Sequence, residues 1–220
     1  EVYAAPKPGL VDRIDSGAHA DMKFEDFILS TAAITPFLRE MAVTAYQSCF
    51  TLPALPDATR ETDAALFSRL RELGKRAERE MYAATGGVNT HKGAVFTLGL
   101  LSVGAGLLYA KRGKLSAEAI LDEVQNLVGD TLRQELADLK AGEVGKAHGE
   151  AVLHRDGTGG VRSAAAKGFP VLRSVALPLL RQYEAEERPA EASALNVLLH
   201  LILHVSDTNV LYRGGKDALL

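Results

Sequence analysis

The sequence predicts an all-α fold, a single-domain multi-helix bundle spanning residues 1–220 with polar, glycine-containing loops at its helix ends. Three observations lead there. Apolar residues recur at three- and four-residue steps, as in Phe24, Phe27, Ile28, Ile34, Phe37, Leu38 and Met41, which stacks them on one helical face. The sequence offers no convincing run of strands. With 47% hydrophobic against 24% charged residues, a chain of 220 residues can bury one core without being divided.

The first helix begins near Phe24, with Asp21 placed to cap it, and ends before a loop that holds Pro53 and Pro56. Similar patterns run through residues 65–82, 93–111, 117–139, 163–183 and 191–205. Gly113 follows a basic helix end at Lys111 and Arg112, and Ser116 can cap the next helix. Pro36 and Pro178 fall inside helical patterns and are expected to kink them, because each removes a backbone donor and crowds the preceding turn. No internal repeat or low-complexity tract is present.

The 25 basic and 28 acidic side chains leave a formal charge of −3, which gives no bulk attraction to nucleic acid or to an anionic membrane. The charge that binds an anion must then be local. A single cysteine, Cys49, excludes an internal disulfide framework and a cysteine-rich zinc site and fits a reducing, cytoplasmic setting. The longest apolar stretch, residues 94–110, carries Thr97, Ser102 and three glycines and falls short of the ~20 apolar residues of a membrane span. It is expected to be a buried helix. The chain opens at Glu1 without a methionine, consistent with trimming, and homo-oligomerisation is left open.

Four polar segments stand out against the helices: residues 6–22, 85–93, 148–170 and 207–215. In Thr85-Gly86-Gly87-Val88-Asn89-Thr90-His91-Lys92-Gly93, two glycines permit unusual backbone angles just before an apolar helix, and Lys92 adds a full charge. Backbone amides at a helix start, together with the macrodipole, favour phosphate. The spacing is not that of a P-loop, nor is Gly104-Ala105-Gly106 a dinucleotide fingerprint. A glycine turn in which Asn89 or Thr90 only caps the helix is the competing reading.

The other segments are individually ambiguous. Pro6-Lys7-Pro8-Gly9-Leu10-Val11-Asp12-Arg13 and Gly17-Ala18-His19-Ala20-Asp21-Met22 place Asp12, His19 and Asp21 within ten positions, enough for a magnesium ion, proton transfer, or an ordinary surface pair and helix cap. Gly160-Val161-Arg162 leads to Lys167-Gly168-Phe169-Pro170, where the planar fork of Arg162 suits a phosphate or sits on a glycine-rich surface connection. In Asp207-Thr208-Asn209-Val210-Leu211-Tyr212-Arg213-Gly214-Gly215, a carboxylate at the negative end of an apolar helix calls for a cation. His200 and His204, one turn apart upstream, have zinc-ligand spacing but apolar neighbours that favour buried or partly satisfied rings.

Together and in this order, PKPGLVD with GAHADM, then TGGVNTHKG, then GVR with KGFP, and DTNVLYRGG resemble the triphosphoribosyl-dephospho-coenzyme A synthase family from Glu1 to about Gly215. The resemblance implies an all-helical enzyme that joins ATP to 3′-dephospho-coenzyme A and releases adenine, making the prosthetic-group precursor of citrate lyase or malonate decarboxylase. On that basis Asp12, Asp21, Glu78 and Asp207 form an acidic set for magnesium on the triphosphate, with one carboxylate left to orient the attacking hydroxyl. Lys7, Lys92, Arg162 and Arg213 face phosphate groups. Gly86, Gly87, Asn89, Thr90, His91 and Asn209 supply backbone or side-chain hydrogen bonds, and His19 or His91 assists the adenine. Two departures stand out. The family commonly has a glutamate soon after the arginine of GVR, where this chain reads Ser163-Ala164-Ala165-Ala166, and it usually continues past the last motif into a Ser-Pro-Gly-Gly segment. A nucleotide-binding relative without transfer chemistry and a magnesium-dependent nucleotide or ADP-ribose hydrolase are the alternative functions.

Overall fold

The computed structural model describes residues 2–7, 9–50, 61–141 and 160–205. Among them every regular element is helical: α1 (Phe24–Ser48), α2 (Asp63–Ala84), α3 (Lys92–Arg112), α4 (Ala117–Ala141), α5 (Gly160–Ala166), a π-helical segment (Leu172–Ala176), α6 (Leu177–Ala185) and α7 (Ala190–His204). The all-α expectation holds. The contacts divide the chain into two compact units, Glu1–Leu127 and Val128–Leu220, where the sequence pattern was read as one bundle.

In the first unit, α1 packs against α2 and α3. Ile34, Ala77, Met81 and Val95 form a buried cluster, with Phe37, Leu38 and Tyr82 against it. The start of α1 differs from expectation. Its cap is Lys23, not Asp21, and the Asp26 carboxylate accepts the Lys23 backbone N–H at 2.9 Å. A carboxylate in the first turn answers both an orphan amide and the positive end of the dipole. Helix α1 runs through Pro36 as one element. Thr62 caps α2 by accepting the Ala65 N–H at 3.2 Å.

Helix α3 carries the glycines that looked like interruptions in the apolar stretch, and two of them are close-packing points. A Cβ at Gly106 would lie 2.2 Å from the carbonyl oxygen of Ala42 on α1, and one at Gly104 would lie 2.6 Å from that of Ile120 on α4. By length and its mean hydropathy of 1.7, α3 does reach the dimensions of a membrane span, contrary to the sequence estimate. Its inward side, including Val95, Leu100, Val103 and Leu107, is nevertheless buried in the fold. The helix ends at Gly113 with φ +65°, the left-handed stop expected there. Ser116 Oγ then accepts from the Ala119 N–H at 3.4 Å.

The second unit corrects the continuous helix expected over residues 163–183. Helix α5 stops at Gly168 (φ +71°) and Phe169 (φ +55°), whose N–H groups return to the Ala165 and Ala164 carbonyls. Phe169 is buried, so the KGFP motif turns the chain and anchors it in one step. Pro178 follows a π-helical turn in which the Leu177 N–H reaches the Leu172 carbonyl five residues back. Widening the helix by one residue just before the proline accommodates its missing donor, where a plain kink was expected. Ala176, Tyr183 and Val197 form the local core.

Candidate functional site

The signature between α2 and α3 is held from below by the end of α2. The buried Thr85 hydroxyl lies 2.9 Å from the Met81 carbonyl and 2.7 Å from that of Val88, which closes the turn on itself. Gly86 and Gly87 take φ values of +65° and +97°, and the Gly87 N–H donates to the Tyr82 carbonyl at 2.8 Å. His91 is the N-cap of α3, and its backbone N–H contacts the Met81 sulfur at 3.1 Å. The Asn89 side chain accepts the Lys92 N–H at 3.2 Å. The first bond from the body of the helix is Val95 N–H to the His91 carbonyl, so the Gly93 and Ala94 amides have no partner within the helix. Gly93 is exposed and side-chain-free.

Asn89 thus does cap, as one reading held, but Thr90 does not. The Thr90 hydroxyl crosses to α1 and donates to Ser30 Oγ at 2.7 Å. Ser30 Oγ in turn makes a short hydrogen bond with His91 Nδ1. Ser30 is wholly buried and His91 is 5% exposed. The edge of the His91 ring also meets Phe27 of α1, with centroids 5.0 Å apart and planes at 75°. Ser30 escaped the sequence reading. Its signal was present, because it is a polar residue on the core face between Phe27 and Ile34.

Phe27 links the signature to the first motif, since it also packs with Val2 and Val11, beside Met22 and Phe24. In that motif the buried Asp12 carboxylate accepts three backbone N–H groups, from Ile14 at 2.7 Å, Lys7 at 2.8 Å and Asp15 at 3.2 Å. The Ile14 and Lys7 amides hold its pKa below the ordinary carboxylate value despite burial. Asp12 therefore organises the loop from a buried position, and the Arg13 guanidinium bonds the Tyr3 carbonyl. Lys7 is buried beside it. His19 Nδ1 is shielded from solvent without a hydrogen-bond partner, and the nearby Asp21 carboxylate stands 3.8 Å away.

Glu78, on the helix that feeds the signature, lies 3.6 Å from Lys92 Nζ. Among the described residues no three His, Cys, Asp or Glu side chains gather in a way that would hold a metal ion. The four-carboxylate set is not assembled by what is described: Asp12 is engaged by amides, Glu78 by Lys92, and Asp207 lies outside the described residues. Asn209 and Arg213 also lie outside them, as do His148, Glu150 and the glycines at 157 and 159. Arg162 is exposed in the first turn of α5, in the second unit. Ala165, near the position where a glutamate was expected, is fully buried. The zinc spacing of His200 and His204 is accounted for locally, because His204 Nδ1 bonds the His200 carbonyl at 2.7 Å.

A glycine turn, two helix-start amides and an adjacent lysine are the local features of a helix start that can receive an anion. The comparisons with known proteins give the family. The profile of the CitG family, described as ATP:dephospho-CoA triphosphoribosyl transferase, matches residues 1–220. A probable 2-(5''-triphosphoribosyl)-3'-dephosphocoenzyme-A synthase of Pectobacterium carotovorum is 38% identical over 219 residues, covering all of this chain and 68% of the relative. The synthase of Klebsiella pneumoniae is 35% identical with the same coverage. A probable synthase of Streptococcus pyogenes is 36% identical, covering 99% of this chain and 74% of the relative. No solved structure matches the chain. The chain belongs to the CitG family of ATP:dephospho-CoA triphosphoribosyl transferases.

Proposed function

We propose that the chain catalyses its family's reaction, joining ATP to 3′-dephospho-coenzyme A with release of adenine, and that the start of α3 receives the triphosphate. The observation that carries this reading is the Gly86-Gly87 turn leading into the Gly93 and Ala94 amides, with Lys92 beside them. Fixed amide dipoles and one lysine supply local positive charge in a chain of net charge −3.

In the reaction the 2′-hydroxyl of dephospho-coenzyme A attacks the anomeric carbon of the ATP ribose. The new C–O bond forms as the N-glycosidic bond breaks, the hydroxyl proton leaves, and adenine departs protonated on its ring. The protein must hold the triphosphate, orient the hydroxyl and offer a donor to the purine. Lys92, Asn89 and the helix-start amides serve the first need. His91 or His19 serves the third. Magnesium enters here only as the counter-ion of ATP. The described carboxylates do not form a protein cage for it, and no step is assigned to it.

The test is incubation with ATP, magnesium and dephospho-coenzyme A. Free adenine together with a product of the combined mass supports the transferase. Adenine formed equally well without dephospho-coenzyme A would mean a hydrolase, and ATP binding with no adenine a binding protein.

A further inference from the structure

We infer that Ser30, outside every recognisable motif, is a positioning residue for ATP: it pins Thr90 and His91 to α1 and so fixes where Lys92 and the Gly93 and Ala94 amides stand. The inference deepens the transferase reading of that helix start and rests on it. Ser30 lies on the core face of α1, whose other buried residues are Phe27, Ile34, Met41 and Ala45. A wholly buried hydroxyl on such a face costs stability unless it is bonded. Two partners come from the signature, 60 and 61 residues further along the chain. Thr90 Oγ1 lies 2.7 Å from Ser30 Oγ, and His91 Nδ1 makes a short hydrogen bond with it. The tie holds whichever partner of each pair donates.

Thr90 and His91 are the last residues before α3 begins at Lys92. The His91 carbonyl receives the Val95 N–H at 2.7 Å, so displacing His91 displaces the first turn of the helix. The same residue meets the Phe27 ring and, through its backbone N–H, the Met81 sulfur. Upstream, Thr85 closes the turn on carbonyls of its own segment, and the exposed Gly86 and Gly87 have no side chain with which to reach another helix. Ser30 and Phe27, both on α1, thus hold the downstream end of the signature from across the fold. Amides held in place before ATP arrives lose nothing to reorganisation on binding, and an error of ~1 Å in their position weakens every phosphate contact at once.

The test joins steady-state adenine release in the full chain to ¹⁵N relaxation of the Gly93 and Ala94 amides. In Ser30→Ala and Thr90→Val the KM for ATP should rise about tenfold, with kcat and the KM for dephospho-coenzyme A within about twofold, and both amides should lose order. Thr90→Ser, which keeps the hydroxyl, should restore order and the KM. Thr90 is only half-buried, so Thr90→Val carries the test even if the Ser30 variant misfolds. A lower melting temperature with unchanged KM for ATP would make Ser30 a purely structural residue and overturns the inference. A loss that falls on kcat, or on the KM for dephospho-coenzyme A, overturns it too, because Ser30 would then not act through the triphosphate end. Lys92→Ala is the control. If it raises the KM for ATP while the Ser30 and Thr90 variants do not, the inference alone fails; if it is equally silent, the triphosphate reading of the helix start fails, and the relaxation data still show whether Ser30 orders the segment.

Discussion

The Glu78 carboxylate lies 3.6 Å from the Lys92 ammonium, joining the helix that precedes the glycine turn to the one that follows it. Lys92 is 53% exposed and Glu78 30%, so the pair contributes only about 0–1 kcal/mol to stability. In the proposed site, Glu78 would hold the lysine at the mouth of the helix start.

Lys92→Ala is expected to weaken ATP binding about tenfold, the ~1.4 kcal/mol of one charge-assisted phosphate contact, with little change in melting temperature. Titration calorimetry with ATP beside a thermal melt checks this. Unchanged affinity removes Lys92 from the phosphate site.

Gly87→Ala separates backbone conformation from packing. At φ +97° an L-residue is strained, while an added Cβ meets nothing within 4 Å. The cost of about 1–2 kcal/mol is therefore conformational. The melt should fall by that amount and KM for ATP should rise. A variant as stable as the wild type would mean that the turn does not need this conformation.

Gly106→Ala tests the opposite case. Its φ is ordinary, but the new methyl would fall 2.2 Å from the Ala42 carbonyl oxygen, which is backbone and cannot swing aside. Overpacking of this kind costs typically about 1–3 kcal/mol and forces α1 from α3. Because α1 carries Ser30 and Phe27, adenine release should fall together with denaturant stability. Loss of neither would show that the two helices are less closely apposed.

Asp12 predicts a pH dependence. Its folded pKa is depressed by the Ile14 and Lys7 amides below the ordinary 3.8. The stabilisation is thus fully present above that value and is lost as pH falls from 3.8 through the lower folded pKa. Asp12→Asn should melt lower than the wild type at pH 7, and the gap should narrow below pH ~4. A gap that is constant with pH would show that the carboxylate charge is not what the loop holds.

Asp207→Asn is expected to lower the rate of adenine release with an unchanged melting temperature, as for a carboxylate that orients substrate. A normal rate would remove Asp207 from the proposed set.

Local rules made much of this protein legible. Three- and four-residue apolar steps gave α1 to α4 and α7 to within a few residues, and Gly113 and Ser116 marked a stop and a start as their chemistry requires. The Gly-Gly-x-Asn-Thr-His-Lys order marked the glycine turn and the start of α3, and the four motifs together pointed to the family. Local patterning misread the π turn before Pro178, where the helix widens ahead of the missing proline donor, and the Phe169 stop, which depends on a buried ring.

What the sequence by itself determined, then, is the run of helices and the family. The tertiary structure decided which side chains work together: Ser30 with His91 across 61 residues, Phe27 between two motifs, and Asp12 holding a loop where a metal ligand had been expected. Spacing along a chain constrains neighbours within a helix turn. Contacts between helices depend on their register and separation, and here glycines that let α1 and α3 nearly touch set both.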